Sequence, residues 1–208
     1  MSDSLRQALQ LHQAGRAAEA LPLYAQALAT EPDHPAALYY GGVAAWSAGQ
    51  HALAHARLDR VIAVAPQPAA EAHYHRALVL AALGRDADAM ADYRTALRLK
   101  PGFAAAHNNL GVLLRRAGQL DAADAAFAAA LQIDPAHVDA RYNRALTAFQ
   151  HGDLTLAQTL LRECIKRAPD HDGSRATLVD VLVDLGERAE ALTLARASGK
   201  RIPGSAPL

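Results

Sequence analysis

A single cysteine, Cys164, in a chain of 208 residues leaves no internal disulfide and no thiolate metal cluster. Its neighbours Leu160, Leu161 and Ile165 place it in a helix core. Aromatic residues are only 5% of the chain although 51% of it is hydrophobic, so Ala and Leu carry most of the apolar surface. Both are strong helix formers, and their excess favours closely packed helices over sheets. Neither sign of charge is in excess, because 21 basic and 21 acidic residues cancel. No net field draws the chain to nucleic acid or to anionic lipid. No apolar run approaches the ~18 residues of a membrane span, and Met1 to Arg6 lack a basic stretch followed by an apolar run. The expectation is a soluble, cytoplasmic protein without a membrane or nucleic-acid partner.

Catalytic chemistry is also missing. His51 and His55 stand four apart, and His73 and His75 two apart, but neither pair has a carboxylate or cysteine at ligand spacing. His51-Ala52-Leu53-Ala54-His55 lacks the glutamate of a metalloprotease helix, so these read as exposed histidines. Gly199-Lys200 is no phosphate loop, since Leu194 stands where the earlier glycine belongs, and no strand precedes Gly41-Gly42. Nothing resembles a nucleophile, base and orienter set. No enzyme activity, cofactor or metal is expected.

What the chain does have is a period. Prolines fall at Pro32, Pro66, Pro101, Pro135, Pro169 and Pro203, at steps of 34, 35, 34, 34 and 34 residues, the extra residue lying in Pro66-Gln67-Pro68. Glycines keep the same step at Gly15, Gly49, Gly84, Gly118, Gly152 and Gly186, as do Ala20, Ala54, Ala89, Ala123, Ala157 and Ala191. Each glycine follows an apolar stretch of helical period, where a helix end needs a residue that tolerates positive φ. The alanines let the two helices of one repeat approach closely. The prolines stop the second helix and set the bend into the next repeat. Tyr24, Leu58, Tyr93, Phe127 and Leu161 form one apolar column, and Leu28, Ile62, Leu97, Leu131 and Ile165 another four residues on. Acidic residues open several second helices (Glu19, Asp86, Asp121, Asp153, Glu187) and basic ones close them (Arg60, Arg98, Lys100, Lys166, Arg167), which suits the helix dipole. His34, His137 and His171 recur just after prolines, at turn and helix-entry positions.

With these columns in place the chain resembles the tetratricopeptide repeat family over nearly its whole length. Phe103 to Pro135 matches best, through Leu110-Gly111, Gly118, Ala123, Phe127, Ala130 and Pro135. The last repeat departs, with Ala195 in place of the aromatic and Ser198-Gly199 interrupting the helix end. The resemblance implies an all-α, right-handed superhelical solenoid of about six helix-turn-helix repeats. They run at about 1–34, 35–69, 70–103, 104–137, 138–171 and 172–205, a single array over 1–203 with a short tail at 204–208. Neighbours must stack, because one hairpin cannot bury both of its faces.

The resemblance further implies that first helices line a concave groove holding an extended partner. Asn109 and Asn143 stand in register there, and a side-chain amide can bond both polar groups of a peptide unit. The ladder has two rungs, its other positions being Arg6, Tyr40, His75 and Thr177. Bonding of the two asparagines to their own neighbours or to water is the alternative. Tyr39, Trp46, Tyr74, Asn108, Arg115, Tyr142 and Phe149 surround them, either as a binding surface or as packing between repeats. The candidate peptide-binding residues are therefore Asn108, Asn109, Asn143, Tyr39, Tyr74, Tyr142, His75 and Arg115. Only three lysines occur, Lys100, Lys166 and Lys200, at or after ends of second helices, so a clamp for acidic C-termini is not expected. Arg76 is placed to reach Asp92 on its paired helix, and Arg144 has no equally clear partner.

An adaptor binding a protein or peptide partner is the leading expectation. The alternatives are the recognition arm of a larger enzyme, such as a glycosyltransferase, and a homo-oligomer formed through the C-terminal end. The last rests on Leu178, Val179, Val181, Leu182, Val183 and Leu185, which either stay open to a partner or a missing domain or lie under the final helix from Ala189 to Ala197.

Overall fold

The computed structural model describes residues 2–65 and 69–198. Among them the chain forms twelve helices and no strand. These are α1 (Asp3–Gln13), α2 (Ala17–Thr30), α3 (Pro35–Ser47), α4 (His51–Val64), α5 (Ala70–Ala82), α6 (Asp86–Leu99), α7 (Ala104–Arg116), α8 (Leu120–Ile133), α9 (Val138–His151), α10 (Leu154–Arg167), α11 (Asp172–Asp184) and α12 (Arg188–Ser198). The fold class is all-α, built from tandem helix hairpins as the period requires. Two compact units divide the chain, Met1–Gly102 with α1 to α6 and Phe103–Leu208 with α7 to α12.

The columns act as their chemistry dictates. All six glycines of the period have positive φ, from 72° to 88°. Around each, the next residue's N–H reaches back to a carbonyl five residues earlier, as Gln119 does to Leu114 at 2.9 Å. This satisfies end carbonyls and turns the chain tightly into its second helix. The six alanines are fully buried at the crossing of each pair. Two in-helix glycines serve closeness instead: a Cβ on Gly111 would lie 2.7 Å from the Phe127 ring, and one on Gly42 would lie 2.9 Å from Leu58 Cγ. Tyr24, Leu58, Tyr93, Phe127 and Leu161 are almost wholly buried, while Leu28, Ile62, Leu97, Leu131 and Ile165 are half-buried at the repeat edges.

Helices α2, α6, α8 and α10 each end two residues before a proline. Glu31, Lys100, Asp134 and Ala168 take extended backbone, with φ between −128° and −137°, because the following ring disfavours helical φ and ψ. Pro66, Gln67, Pro68, Gly199, Lys200 and Pro203 lie outside the described residues. Three first helices, α3, α9 and α11, begin at the recurring histidines. His34 Nδ1 accepts from the Ala37 N–H at 3.4 Å, His137 from Ala140 at 3.3 Å and His171 from Ser174 at 3.0 Å. An imidazole thus does the work usually given to Ser or Asp, satisfying a free N–H of the first turn.

At the C-terminal end Leu178, Val179, Val181 and Leu182 are buried in a cluster that includes Ala191 and Ala195 of α12. The final helix therefore covers the apolar row of α11. Cys164 is buried too, and burial pushes its thiol pKa up.

Candidate binding face

In the C-terminal unit the three asparagines are joined to one another. Asn143 Nδ2 donates to Asn108 Oδ1 at 3.1 Å, and Asn108 Nδ2 donates to Asn109 Oδ1 at 3.1 Å. Asn108 is buried and links two half-buried partners, one beside it on α7 and one on α9. The alternative of bonding to neighbours is thus partly realised. It also fixes amide directions: Asn143 turns its nitrogen inward, and its Oδ1 accepts from no described residue. Arg115 on α7 reaches Gln150 at 3.5 Å, and its Nε is buried without an acceptor among the described residues.

Tyr142 packs between repeats. Its hydroxyl pairs with Thr177 at 3.3 Å, and its ring meets His171 edge-on at 4.7 Å, in a space kept open by Gly173. Phe149 lies against the core of the C-terminal unit and Trp46 against that of the N-terminal unit, which makes both packing residues.

The N-terminal unit carries a row of rings on α1, α3 and α5. His12 meets Tyr40 at 5.7 Å, Tyr40 meets Tyr39 at 5.0 Å, Tyr39 meets His75 at 5.6 Å and His75 meets Tyr74 at 5.2 Å, all edge-to-face. The second helices anchor both ends, Tyr24 against His12 at 6.1 Å and Tyr93 against Tyr74 at 5.9 Å. His75 Nδ1 lies 2.8 Å from the Glu71 carbonyl, which can only accept, so that nitrogen carries the proton. The Tyr39 hydroxyl sits 3.2 Å from the same nitrogen. Burial lowers the pKa of His75 and of His12, and it pushes the Tyr24 and Tyr39 phenols up to about 12. All of these rings are neutral at pH 7. Tyr40, 39% exposed, is the most open of the tyrosines, and its hydroxyl bonds no described residue.

Tyr39, Tyr74 and His75 stand among the residues the sequence singles out, Tyr40 stands there only as a departure from the asparagine ladder, and His12 has no counterpart in the columns. Tyr40 shares the register of Asn109, which was the available signal.

The two arginines are internal. Arg76 donates to both Asp92 oxygens, at 2.6 and 2.8 Å, as expected, and also to Asp59 on α4 at 2.5 Å. Arg144 finds Asp124 on α8 at 2.7 Å, a partner from the preceding repeat and not from its own second helix. His73 Nδ1 lies 3.0 Å from Asp92. Burial alone would raise the Asp92 carboxyl, but hydrogen bonds from Arg76 and His73 and their charge together hold it below the usual range. His51 packs on Trp46 at 5.0 Å and is half-buried, not exposed, with its Nδ1 unpaired among the described residues.

Comparison with known proteins gives one family. Models described as tetratricopeptide repeat match residues 11–79 and 148–207 and, separately, 108–172, and a TPR repeat model matches 79–118. Among curated proteins no sequence matches significantly. Similar solved structures include YrrB, described as a TPR protein with an unusual peptide-binding site, at 24% identity and TM-score 0.70, over 82% of this chain and 88% of that one. PilF of Pseudomonas aeruginosa aligns at 16% identity and TM-score 0.80, over 97% of this chain and 91% of its own. A tetratricopeptide repeat protein of Parabacteroides merdae aligns at 18% identity and TM-score 0.78, over 96% and 80%. At these identities the likeness is one of fold. No helix among the described residues is long and apolar enough to cross a membrane.

Proposed function

The chain belongs to the tetratricopeptide repeat family, a family of protein interaction modules, and from that premise we propose that its first helices hold an extended segment of a partner protein. The six repeats act as one array in this reading, and the chain works as an adaptor without chemistry of its own. The carrying observation is the asparagine relay. Asn143 Oδ1 is oriented by the bond its own nitrogen makes to Asn108, and it awaits a donor. A partner's backbone N–H meets that need whatever side chain it carries. YrrB, similar in fold, is described as having a peptide-binding site, which supports the assignment by analogy.

Four of the amide groups in the relay already pair internally, so it offers a partner few hydrogen bonds. At about 1 kcal/mol net for each, they give orientation more than affinity. Side chains anchored on the tyrosines add about 1.5–3 kcal/mol each before ordering costs, so a short segment binds at roughly micromolar strength or weaker.

The test is binding of an immobilised peptide library to wild type, Asn143→Ala and Asn109→Ala/Asn143→Ala, with circular dichroism and light scattering on each. Peptides selected by wild type are expected to lose about three- to tenfold in affinity on Asn143→Ala, whatever their side chains. Helical content stays unchanged. Undiminished binding by the double variant would discard the asparagine relay as a contact site.

A further inference from the structure

We propose that the ring row of α1, α3 and α5 is a docking track for a proline-rich segment of the partner in the polyproline II conformation, an inference that rests on the partner-binding role just proposed. The charge balance of the row comes first. Glu71 is paired with Lys100 at 2.8 Å and Arg6 with Asp3 at 3.2 Å, and both histidines of the row are kept neutral by burial. A charged segment laid along it would lose water and gain no counter-charge. An uncharged one loses little.

Shape narrows the choice. No strand exists among the described residues, so an extended chain finds no sheet edge to join. An amphipathic helix needs a groove wide enough for an apolar stripe, whereas the row proceeds one ring at a time from His12 through Tyr40, Tyr39 and His75 to Tyr74. A polyproline II helix repeats every three residues, about 9.3 Å. The steps from Tyr40 to Tyr39 and from Tyr39 to His75 measure 5.0 and 5.6 Å, so one turn is longer than either step and lies within the reach of the two together. Tyr40, the most open ring of the row, offers a surface on which a pyrrolidine ring can stack.

Hydrogen bonding agrees. Polyproline II makes no internal hydrogen bonds, so its carbonyls need donors. The Tyr40 hydroxyl is such a donor, on a ring 39% exposed and without a described partner. The flanking rings are already fixed, Tyr39 by His75 at 3.2 Å and His12 by the Tyr24 hydroxyl at 3.3 Å. A rigid track and a ligand that is stiff beforehand both reduce the entropy lost on binding.

The experiment is fluorescence anisotropy on the full chain with a labelled Pro-Pro-Ala repeat peptide about twelve residues long and a Gly-Ser peptide of equal length. Wild type is expected to prefer the proline peptide by about tenfold or more, a preference lost on Tyr40→Ala. Tyr40→Phe, which keeps the ring, is expected to cost about two- to fivefold. An unchanged melting temperature shows that either variant still folds, since Tyr40 lies outside the core clusters. Equal binding of both peptides, or proline-peptide binding indifferent to Tyr40→Ala, overturns the proposal. If the immobilised peptide library then still yields proline-free peptides that depend on Asn143, the partner-binding reading stands without it. If no peptide of either kind binds, both fall together.

Discussion

At Gly118 the backbone has φ of 74° and a Cβ would meet nothing within 4 Å, whereas at Gly111 a Cβ would come within 2.7 Å of the Phe127 ring. The first glycine is required by conformation and the second by space. Gly118→Ala is expected to destabilise by about 1–2 kcal/mol through the left-handed penalty alone. Gly111→Ala, pressing on a fully buried ring, is expected to cost about 1–3 kcal/mol. Trimming the ring separates them in urea titrations: on a Phe127→Leu background the Gly111→Ala penalty shrinks and the Gly118→Ala penalty does not. Equal changes at both positions would refute the distinction. The Gly118 role was legible because six glycines share one step. The ring row was not, because it passes through Tyr40, Tyr39, His75 and Tyr74, alternating between two register positions. Columns align equivalent positions, so a contact path that crosses between columns leaves no mark in any one of them.

Helices α4, α5 and α6 are tied by Arg76, which bonds Asp59 on the first and Asp92 on the last. Asp92 is buried, its side chain 8% exposed. Removing the arginine leaves that carboxylate with His73 as its remaining partner, so Arg76→Met is expected to cost about 3–5 kcal/mol, while Arg76→Met/Asp92→Leu recovers most of it. The pH dependence follows from sign. Asp92 has a folded-state pKa below its unfolded value, so its contribution is complete above the unfolded pKa and is lost as pH falls through the folded one. In Arg76→Met, burial keeps raising the carboxyl while only His73 opposes it, so acid unfolding should begin at higher pH than in wild type. Superimposable acid titrations of the two proteins would contradict this. The Arg76–Asp92 pair was legible within one hairpin. Asp59 and the Asp124 partner of Arg144 were not, because each comes from the preceding hairpin. Periodicity fixes the spacing along the chain but not the offset between stacked pairs.

For the molecule as a whole, a repeat protein's stability is approximately a sum of repeat terms and nearest-neighbour terms, so the ends matter more than the middle. The apolar row of α11 left two readings in the sequence, an open end or a covered one, because the end of a solenoid calls for a polar cap and this row is apolar. The structure supplies the cover by backbone means. Gly186 has φ of 81°, and the Glu187 N–H reaches Leu182 at 2.8 Å, which folds α12 back so that Ala191 and Ala195 lie in the cluster of Leu178, Val181 and Leu182. Small residues suffice because the helices can then approach closely. A chain ending at Glu187 should expose part of that row. At about 1.5–3 kcal/mol for each large apolar side chain uncovered, the loss falls chiefly on α9 to α11. Hydrogen exchange should therefore show faster amide exchange in those helices, with α1 to α4 unchanged. Light scattering should show the shortened chain associating with rising concentration while the full chain does not do so through this end. If exchange in α11 and the scattering are the same in both chains, the row is held by α9 and α10 alone, and α12 is not the cap that its buried alanines imply.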